Sequence, residues 1–468
     1  MLGVIVFILV LGGMIVIHEF GHFIVAKLFG IRVEVFSVGF GKRLFGVKKG
    51  DTDYRFSLIP LGGYVKMAGE NLDEQRTGAP YEFMSKPRWQ RLLVAVAGPV
   101  MNVLTAFAII AIMAMIHFET EAYKTWPAVI NAVEPDSPAD KAGIKRGDLI
   151  VKIDGEDNPQ WRDVEDVILV NPGQTVPVTV KRGDQAIDLT LPVAARPFDQ
   201  EEIGYAGFKP DVGPDAKIVV REVNSGSPAE KAGLQVADQI IAVNAKPVEQ
   251  SLQGNYDIIR AIRDSNGQPI TIAVKRGDQT VPLTATPQID AGEYRLGFQQ
   301  ELTDVPKIVT RLGPLEAMKF SLDENKRILK LTKTAIVQMF AGTRSPGKTL
   351  TGPIGILGIT QEATDRGAWY VFNLMALLSL NLGIFNLLPI PVLDGGLIFM
   401  LLLESFLGLF GVPLSLRVKE RMMQVGFVVL ILLMGFVIFN DISKKIPSSS
   451  APQQQQQQQQ QPPANGRE

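Results

Sequence analysis

Three side chains that can bind and activate a metal lie close together near the N-terminus, in the segment HEFGH. On a helix, His18 and His22 are four residues apart and therefore project from the same face, one turn from each other. Two neutral imidazoles in this arrangement can bind one zinc ion, and Glu19 can act as a general base toward water. The segment lies inside an apolar run from Leu2 to Ala26. An ionisable side chain costs about 2.5–3.5 kcal/mol at mid-membrane, so a functional site explains these residues better than chance does.

The third protein ligand of such a zinc site should be a carboxylate, because the chain has no cysteine and only one further histidine. That histidine, His117, ends the second apolar segment, where an interfacial role is expected. Glu404 and Asp441 lie at the ends of apolar segments, whereas Asp394 lies in the middle of one, in NLLPIPVLDGG. Irregular backbone at this depth persists only where it is buried in protein or lines a watery cavity. Asp394 is the predicted third ligand, and a polar cap that restarts the helix is the alternative interpretation.

The composition requires both membrane-spanning and soluble parts. The chain has 468 residues, of which 46% are hydrophobic and 20% are charged, and its mean hydropathy is +0.15. The chain is too apolar for a purely soluble protein and too charged for one made of membrane helices alone. The net charge of −1 gives no reason to expect a nucleic-acid partner. Four segments have the length and apolar character of membrane spans; they are residues 1–30, 92–117, 368–406 (broken in the middle) and 424–440.

The distribution of positive charge predicts the orientation of these spans. Residues 31–92 contain eleven Lys and Arg, and three more precede the last span. Because positive loops remain on the cytoplasmic side, both basic loops are expected inside and both termini outside. The long region between the second and third spans then lies outside.

The outside region contains an internal repeat. VEPDSPADKAGIKRGDLIVKIDG (133–155) returns as VNSGSPAEKAGLQVADQIIAVNA (223–245), with Ala237 in place of Gly147. In each copy a serine is placed to cap a one-turn helix that starts with proline and ends at glycine. The pattern resembles PDZ domains, which bind extended chains or C-terminal carboxylates. We expect one domain at 122–200 and another at 201–291, with EEIGYAGF (201–208) as a candidate carboxylate-binding loop of the second.

The remaining segments are less informative. Within the region 31–91, residues 31–67 alternate apolar and polar side chains around a turn at KKGDT (48–52), which predicts strands. Residues 300–367 read as an amphipathic linker that lies on the membrane surface, and the Gln-rich tail at 446–468 as disordered.

Taken together, these motifs resemble the site-2 protease family of intramembrane zinc metalloproteases, over nearly the whole chain. HEFGH, AGPVMN (97–102), NLLPIPVLDGG (386–396) and the glycine-rich SVGFGKRLFG and IPLGGYVKM carry the resemblance. It implies zinc on His18, His22 and Asp394, with Glu19 as the catalytic residue. It also implies residues that hold the substrate as an extended strand, namely Asn386, Pro389, Pro391, Gly62 and Gly63.

The resemblance implies a polytopic α-helical protein of the bacterial inner membrane, with four transmembrane segments, a membrane-associated β-hairpin region and two periplasmic PDZ domains. The expected reaction is cleavage, in contact with membrane lipid, of the transmembrane segment of a pre-trimmed single-span protein such as an anti-sigma factor. Remnant signal peptides are further possible substrates. The PDZ domains would contact the substrate C-terminus or filter substrates by size. A membrane metal transporter and a non-catalytic PDZ scaffold are the alternatives: the first should carry polar residues on several spans, and the second should have lost Glu19 or a ligand.

Overall fold

The computed structural model describes residues 2–70, 77–198, 201–290, 292–411 and 415–445, so the predicted tail at 446–468 lies outside the described residues. The chain divides into two compact units. The membrane unit comprises the described residues of Met1–Ile112, Ala317–Thr332 and Thr349–Glu468, and the repeat unit comprises Met113–Glu316 and Lys333–Lys348.

The helices in the described part of the chain are α1 (Leu2–Leu28), α2 (Arg88–Ile116), α3 (Pro138–Lys141), α4 (Trp161–Val170), α5 (Pro228–Lys231), α6 (Leu252–Asp264), α7 (Pro314–Phe340), α8 (Pro346–Thr349), α9 (Pro353–Arg366), α10 (Ala368–Asn386), α11 (Asp394–Leu409) and α12 (Leu416–Lys445).

The strands are β1 (Val33–Lys49), β2 (Thr52–Met67), β3 (Phe118–Glu121), β4 (Ile130–Val133), β5 (Leu149–Ile153), β6 (Glu156–Asp157), β7 (Thr175–Arg182), β8 (Gln185–Pro192), β9 (Ala194–Phe198), β10 (Glu201–Tyr205), β11 (Phe208–Pro210), β12 (Lys217–Val223), β13 (Gln239–Val243), β14 (Lys246–Pro247), β15 (Ile270–Arg276), β16 (Gln279–Ala285), β17 (Gln288–Asp290), β18 (Glu293–Arg295), β19 (Phe298–Thr303) and β20 (Lys307–Thr310).

Four helices are long and apolar enough to cross a membrane within the ranges that the structure describes: α1, α2, α10 and most of α12. This confirms the four predicted apolar segments. The third is broken as expected, because α10 ends at Asn386 and α11 begins at Asp394. The predicted amphipathic linker contains three helices, of which α7 is the longest.

Glycines allow the helices of the membrane unit to approach closely. A Cβ on Gly21 would lie 2.4 Å from the carbonyl oxygen of Ala97, and one on Gly383 would lie 3.0 Å from that of Pro99. Close approach through small residues is the common way in which membrane helices pack. Helices α1 and α10 are thereby held against the same part of α2.

The region between α1 and α2 forms the predicted strands, which turn at Gly50 and Asp51. Residues 33–38 of β1 pair with residues 63–67 on one side and with residues 53–56 on the other, and residues 43–49 pair with 52–57. The segment 63–67 therefore lies at one edge of this folded-back sheet. Several large apolar side chains of the sheet are exposed, including Phe40, Leu44, Phe45, Val47, Phe56 and Leu58. An apolar surface of this kind indicates contact with a membrane or a partner.

The repeat unit contains two copies of one α+β motif. Ser137 and Ser227 each cap the one-turn helix that follows, α3 or α5, by accepting a bond from the backbone N–H of the third helical residue. Gly143 and Gly233 end these helices with φ of +80° and +86°. These features confirm the predicted local structure. In the first repeat the strand order is β6-β5-β7-β8, and the second repeat has β16-β15-β13-β12-β19 with β14 beside β13.

The loop predicted at 201–208 for the second repeat belongs to the first, so that assignment was wrong. Strand β11 pairs with β4, and the backbone N–H of Glu134 donates to the carbonyl of Gly207. The equivalent loop of the second repeat leads into β19, which pairs with β12. Each repeat therefore completes its own fold with the strand that comes last in its sequence, and this non-local pairing leaves no signal in the repeated segments themselves.

Candidate metal centre

Helix α1 and the start of α11 bring His18, His22 and Asp394 together. The Nε2 atoms of the two histidines are 3.2 Å apart. Asp394 places Oδ2 2.9 Å from His18 Nε2 and Oδ1 3.3 Å from His22 Nε2. Both histidines are buried, whereas the side chain of Asp394 is 21% exposed. Among the residues whose placement is described, this is a group of three ligand-type side chains whose donor atoms all lie within 4.8 Å of one another.

These separations fit a tetrahedral zinc ion. With bonds of about 2.0–2.1 Å, two ligand atoms of a tetrahedral site lie about 3.3 Å apart. Space for the ion is provided by Gly98 on α2, because a Cβ there would lie 2.3 Å from His22 Nε2 and 2.7 Å from His18 Nε2. Two imidazoles and one carboxylate are also the donor set of known catalytic zinc sites with an open fourth position. The residues therefore fit the metal.

Glu19 is next to the ligands on the same helix, and its position is fixed from the sheet. The backbone N–H of Val65, in the edge segment 63–67 of β2, donates to Glu19 Oε2 at 3.1 Å. The sheet edge and the carboxylate therefore meet beside His18 and His22. This contact was not predicted from the sequence.

The break between α10 and α11 is held in an unusual conformation. A Cβ on Gly395 would lie 2.2 Å from the carbonyl oxygen of Leu388, and one on Gly396 would lie 2.4 Å from that of Ile390. The chain of the break therefore folds directly onto the first turn of α11, which only glycine permits. Val392 has φ of +91°, which is costly for a β-branched residue, by about 1–3 kcal/mol. Asp394 follows two residues later, at the first position of α11.

The five predicted substrate-binding residues have different surroundings. Asn386 Nδ2 lies 3.3 Å from His18 Nε2, beside the ligands. Pro389 is exposed at the break, and Pro391 packs against Gly426 of α12. Gly62 and Gly63 are buried against α1, where added Cβ atoms would lie near Ile15 and Val16.

The other acidic and histidine side chains considered for the metal are engaged elsewhere. Glu404 Oε2 lies 3.1 Å from Lys419 Nζ. Asp441 accepts bonds of 3.0–3.1 Å from three backbone N–H groups at the start of α9. His117 lies 3.1 Å from Glu119. Asp394 is thus the carboxylate that reaches both histidines.

Sequence reasoning missed the groups that orient the two histidines. The carbonyl of Val94 lies 2.7 Å from His22 Nδ1, and the amide of Asn102 lies 3.1 Å from His18 Nδ1. Gly98 and Asn102 both belong to AGPVMN, a segment quoted for the resemblance without a role for either residue. The available sequence signal for Asn102 was an asparagine inside an apolar segment, and the structure places it at zero exposure.

Comparison with known proteins shows the family to which this chain belongs. The family model described as Peptidase family M50 matches residues 6–433. The chain belongs to peptidase family M50. It is 35% identical over 456 residues to the regulator of sigma-E protease RseP of Salmonella typhimurium and 33% identical over 456 residues to that of Escherichia coli K12. It is 32% identical over 460 residues to a protein of Vibrio cholerae described as a zinc metalloprotease. Each alignment covers 94% of this chain and 98% of the relative.

Membership of this family confirms the predicted enzyme class. The chain is a zinc metalloprotease with membrane-spanning helices, and the transporter and the non-catalytic scaffold are excluded.

Proposed function

We propose that this enzyme cuts the transmembrane segment of a single-span membrane protein at the site formed by His18, Glu19, His22 and Asp394. The observation that carries the proposal is the convergence of His18, His22 and Asp394 beside Glu19, with both histidines on α1, a helix of membrane-spanning length. His18, His22 and Asp394 hold the zinc ion, and Glu19 is the general base.

Zinc, when bound, supplies a Lewis acid that activates water and polarises the scissile carbonyl. Glu19 Oε1 or Oε2 takes the proton from the attacking water and then delivers it to the leaving amine. The bond from the Val65 N–H holds the carboxylate in place during both transfers. Asn386 can donate from its amide to the substrate carbonyl, because its Nδ2 atom already points at the metal ligands.

The substrate must be unwound before it is cut, because a helix shields its peptide bonds within its own hydrogen bonds. The edge of the sheet at residues 63–67 offers backbone carbonyl groups to an extended chain, in the manner of β-strand addition, while the Val65 N–H stays bonded to Glu19. Gly62 and Gly63 lie against α1 at the start of this segment, and Pro389 and Pro391 leave the break without two backbone N–H donors.

The positive loops support a topology with both termini and the repeats outside, which in a bacterial inner membrane is the periplasm. The relatives are named regulators of sigma-E. We infer that the substrate of this chain is an anti-sigma factor already shortened on its outer side, and that remnant signal peptides are further substrates.

The repeats are PDZ-type domains in this proposal, and they exclude substrates that still carry a bulky outer domain. They are inserted between the second and third spans, and exclusion needs only bulk. Presentation of the substrate C-terminus is the competing role. It would use a cleft of about 470 Å³ in the second repeat, lined by Ile259 and Arg263 of α6 and by Gly297 and Phe298.

The first experiment tests proteolysis. Purified enzyme in detergent should cut a single-span test substrate within its transmembrane segment, and removal of zinc with a chelator should abolish cleavage until zinc is restored. Cleavage that persists without metal, or that falls only outside the transmembrane segment, would contradict the proposal.

The second experiment tests the repeats. Ala122 N donates to Pro306 O at 2.8 Å, so a short glycine linker can replace residues 123–305 while the pairing of β3 with β20 is kept. This variant should keep its zinc and should cut untrimmed substrates as well as trimmed ones. Ile259→Arg changes the cleft, and Ile289→Arg changes a residue outside its lining. If only Ile259→Arg stops cleavage of trimmed substrates, the repeats present the substrate instead of filtering it.

A further inference from the structure

Both zinc ligands on α1 need a particular proton arrangement. His18 and His22 point Nε2 toward Asp394 and toward each other, so Nε2 is the atom available to the metal. A neutral imidazole carries one proton, and a nitrogen that binds a metal cannot carry it. Each Nδ1 must therefore hold the proton, and a buried N–H needs an acceptor.

For His22 the acceptor is unambiguous. Its Nδ1 lies 2.7 Å from the carbonyl oxygen of Val94, which can only accept. The Val94 carbonyl thus keeps the proton of His22 on Nδ1, and Nε2 remains free for the metal.

For His18 the neighbouring group is a side chain. The amide nitrogen of Asn102 lies 3.1 Å from His18 Nδ1, and Asn102 is fully buried. Its Oδ1 has no hydrogen-bond partner within the described ranges of the chain. The amide nitrogen donates and cannot accept, whereas a half-turn of the terminal group brings the oxygen to the same place. That rotation gives the proton of His18 Nδ1 its acceptor.

We propose that Asn102 is a positioning residue whose Oδ1 accepts the Nδ1–H of His18 and so keeps Nε2 directed at the metal. This inference rests on the metal site proposed above. The backbone of Asn102 is held independently of its side chain, because Ser379 Oγ donates to the Asn102 carbonyl at 2.9 Å. Two different devices, a carbonyl for His22 and an amide for His18, therefore orient the two histidines.

The test measures zinc affinity by competition with a chelator, on full-length protein in detergent. Asn102→Leu keeps the volume and removes the acceptor, and it should weaken zinc binding about 10–100-fold. Asn102→Asp keeps an acceptor at the same position and should recover most of the affinity. Ser379→Ala is the matched control, since it removes a bond to the Asn102 backbone and leaves the side chain in place. This variant should bind zinc as the wild type does.

A second measurement uses the fact that the chain contains only three histidines. In zinc-loaded wild-type protein with 15N-labelled histidine, the protonated ring nitrogen of His18 should be Nδ1. The Nδ1 proton of His18 should resonate downfield in the wild type, because it is hydrogen-bonded, and its resonance should move upfield in Asn102→Leu. Wild-type zinc affinity in Asn102→Leu, equal losses in the Leu and Asp variants, or His18 bound to zinc through Nδ1 would each overturn the inference. If the wild type binds no zinc at His18 and His22, the metal site itself is wrong and the inference falls with it.

Discussion

Asp394 in the membrane unit and Asp148 in the first repeat are both withdrawn from bulk water, but their neighbours differ. Asp148 is fully buried and receives two bonds of 2.7 Å from the guanidinium of Arg182. Asp394 has two imidazoles as neighbours, and its side chain remains partly exposed. A fixed cation satisfies the first carboxylate, whereas the second faces two imidazoles, which are metal-binding groups, and stays 21% exposed.

The contrast also holds within the membrane unit. Asp441 is buried like Asp148, and the first turn of α9 satisfies it with three backbone N–H groups. The N-terminus of a helix stabilises an anion, and here its N–H groups bond both oxygens of the Asp441 carboxylate. Burial of a carboxylate is therefore not a sign of catalysis; the nature of its partners is.

The largest expected effect comes from Asp394→Asn, with Asp441→Asn as its control. A neutral amide is a poor zinc ligand, so the Asp394 variant should lose more zinc affinity than the roughly 100-fold typical of outer-shell changes, and all cleavage. The Asp441 variant should keep its zinc. Metal analysis and cleavage of the test substrate measure both. Full zinc content in the Asp394 variant would remove this residue from the ligand set.

Glu19→Gln should separate chemistry from metal binding. The amide keeps the shape of the side chain but cannot take a proton, so cleavage should fall about 10²–10⁴-fold. Zinc content should equal that of the wild type, because Glu19 is not a proposed ligand. Substantial turnover with full zinc would show that another group is the base.

The sequence predicted the parts of the site that depend on unusual residue types in a known environment. His18, Glu19, His22 and Asp394 stand out because charged and polar side chains are rare in apolar runs. The one-turn helices of the repeats were predictable for a different reason. Serine, proline and glycine determine them locally, within seven residues of sequence.

The parts that were missed depend on contacts between distant segments. The Val65 N–H and the Val94 carbonyl are backbone groups, which any residue type supplies, so no sequence pattern marks them. The pairing of β11 with β4 joins segments about 75 residues apart, and the repeated motif does not contain β11. Strand β1 pairs with β2 in three places: residues 33–38 pair with 63–67 and with 53–56, and residues 43–49 pair with 52–57. An alternating pattern does not reveal this arrangement, because it predicts strands but not their partners.

The third prediction concerns the structural aspartates. Asp148→Asn should destabilise the first repeat by about 2–3 kcal/mol, below the value for a fully buried pair because Arg182 is one-third exposed. Asp238→Asn should do the same in the second repeat, where Arg276 makes equivalent bonds. Hydrogen exchange of β5 and β7, compared with β13 and β15, measures each effect separately. Zinc content should not change, and a loss of zinc in either variant would contradict the comparison with Asp394.

The same ion pair makes the first repeat sensitive to acid. Burial opposes ionisation of Asp148, but the hydrogen bonds from Arg182 outweigh it and hold the pKa of this carboxyl below its usual value. The stabilisation is therefore complete above the unfolded pKa of about 3.9 and is lost as the pH falls through the lower, folded pKa. In the wild type, hydrogen exchange of β5 and β7, corrected for the intrinsic rate, should become faster than at neutral pH only when the pH falls below about 3.9. In Asp148→Asn this additional acid sensitivity should be absent.

The smallest effect comes from the one position at which the repeated motif changes a glycine. Gly147 and Ala237 have the same left-handed conformation, with φ of +88° and +71°, and the backbone N–H of each donates to a strand carbonyl at 2.8 Å. Both positions are exposed, and a Cβ on Gly147 would meet no atom within 4 Å. Backbone strain is therefore the main difference between the two residues at this site. Left-handed backbone costs an L-residue about 1–2 kcal/mol, and this cost is partly offset because glycine loses more entropy on folding.

Gly147→Ala should destabilise the first repeat by about 1 kcal/mol, and Ala237→Gly should stabilise the second by up to the same amount. Hydrogen exchange of β5 and β13 in the two variants checks both signs, and a change of the same sign in both repeats would show that packing, and not φ, determines the residue at this turn.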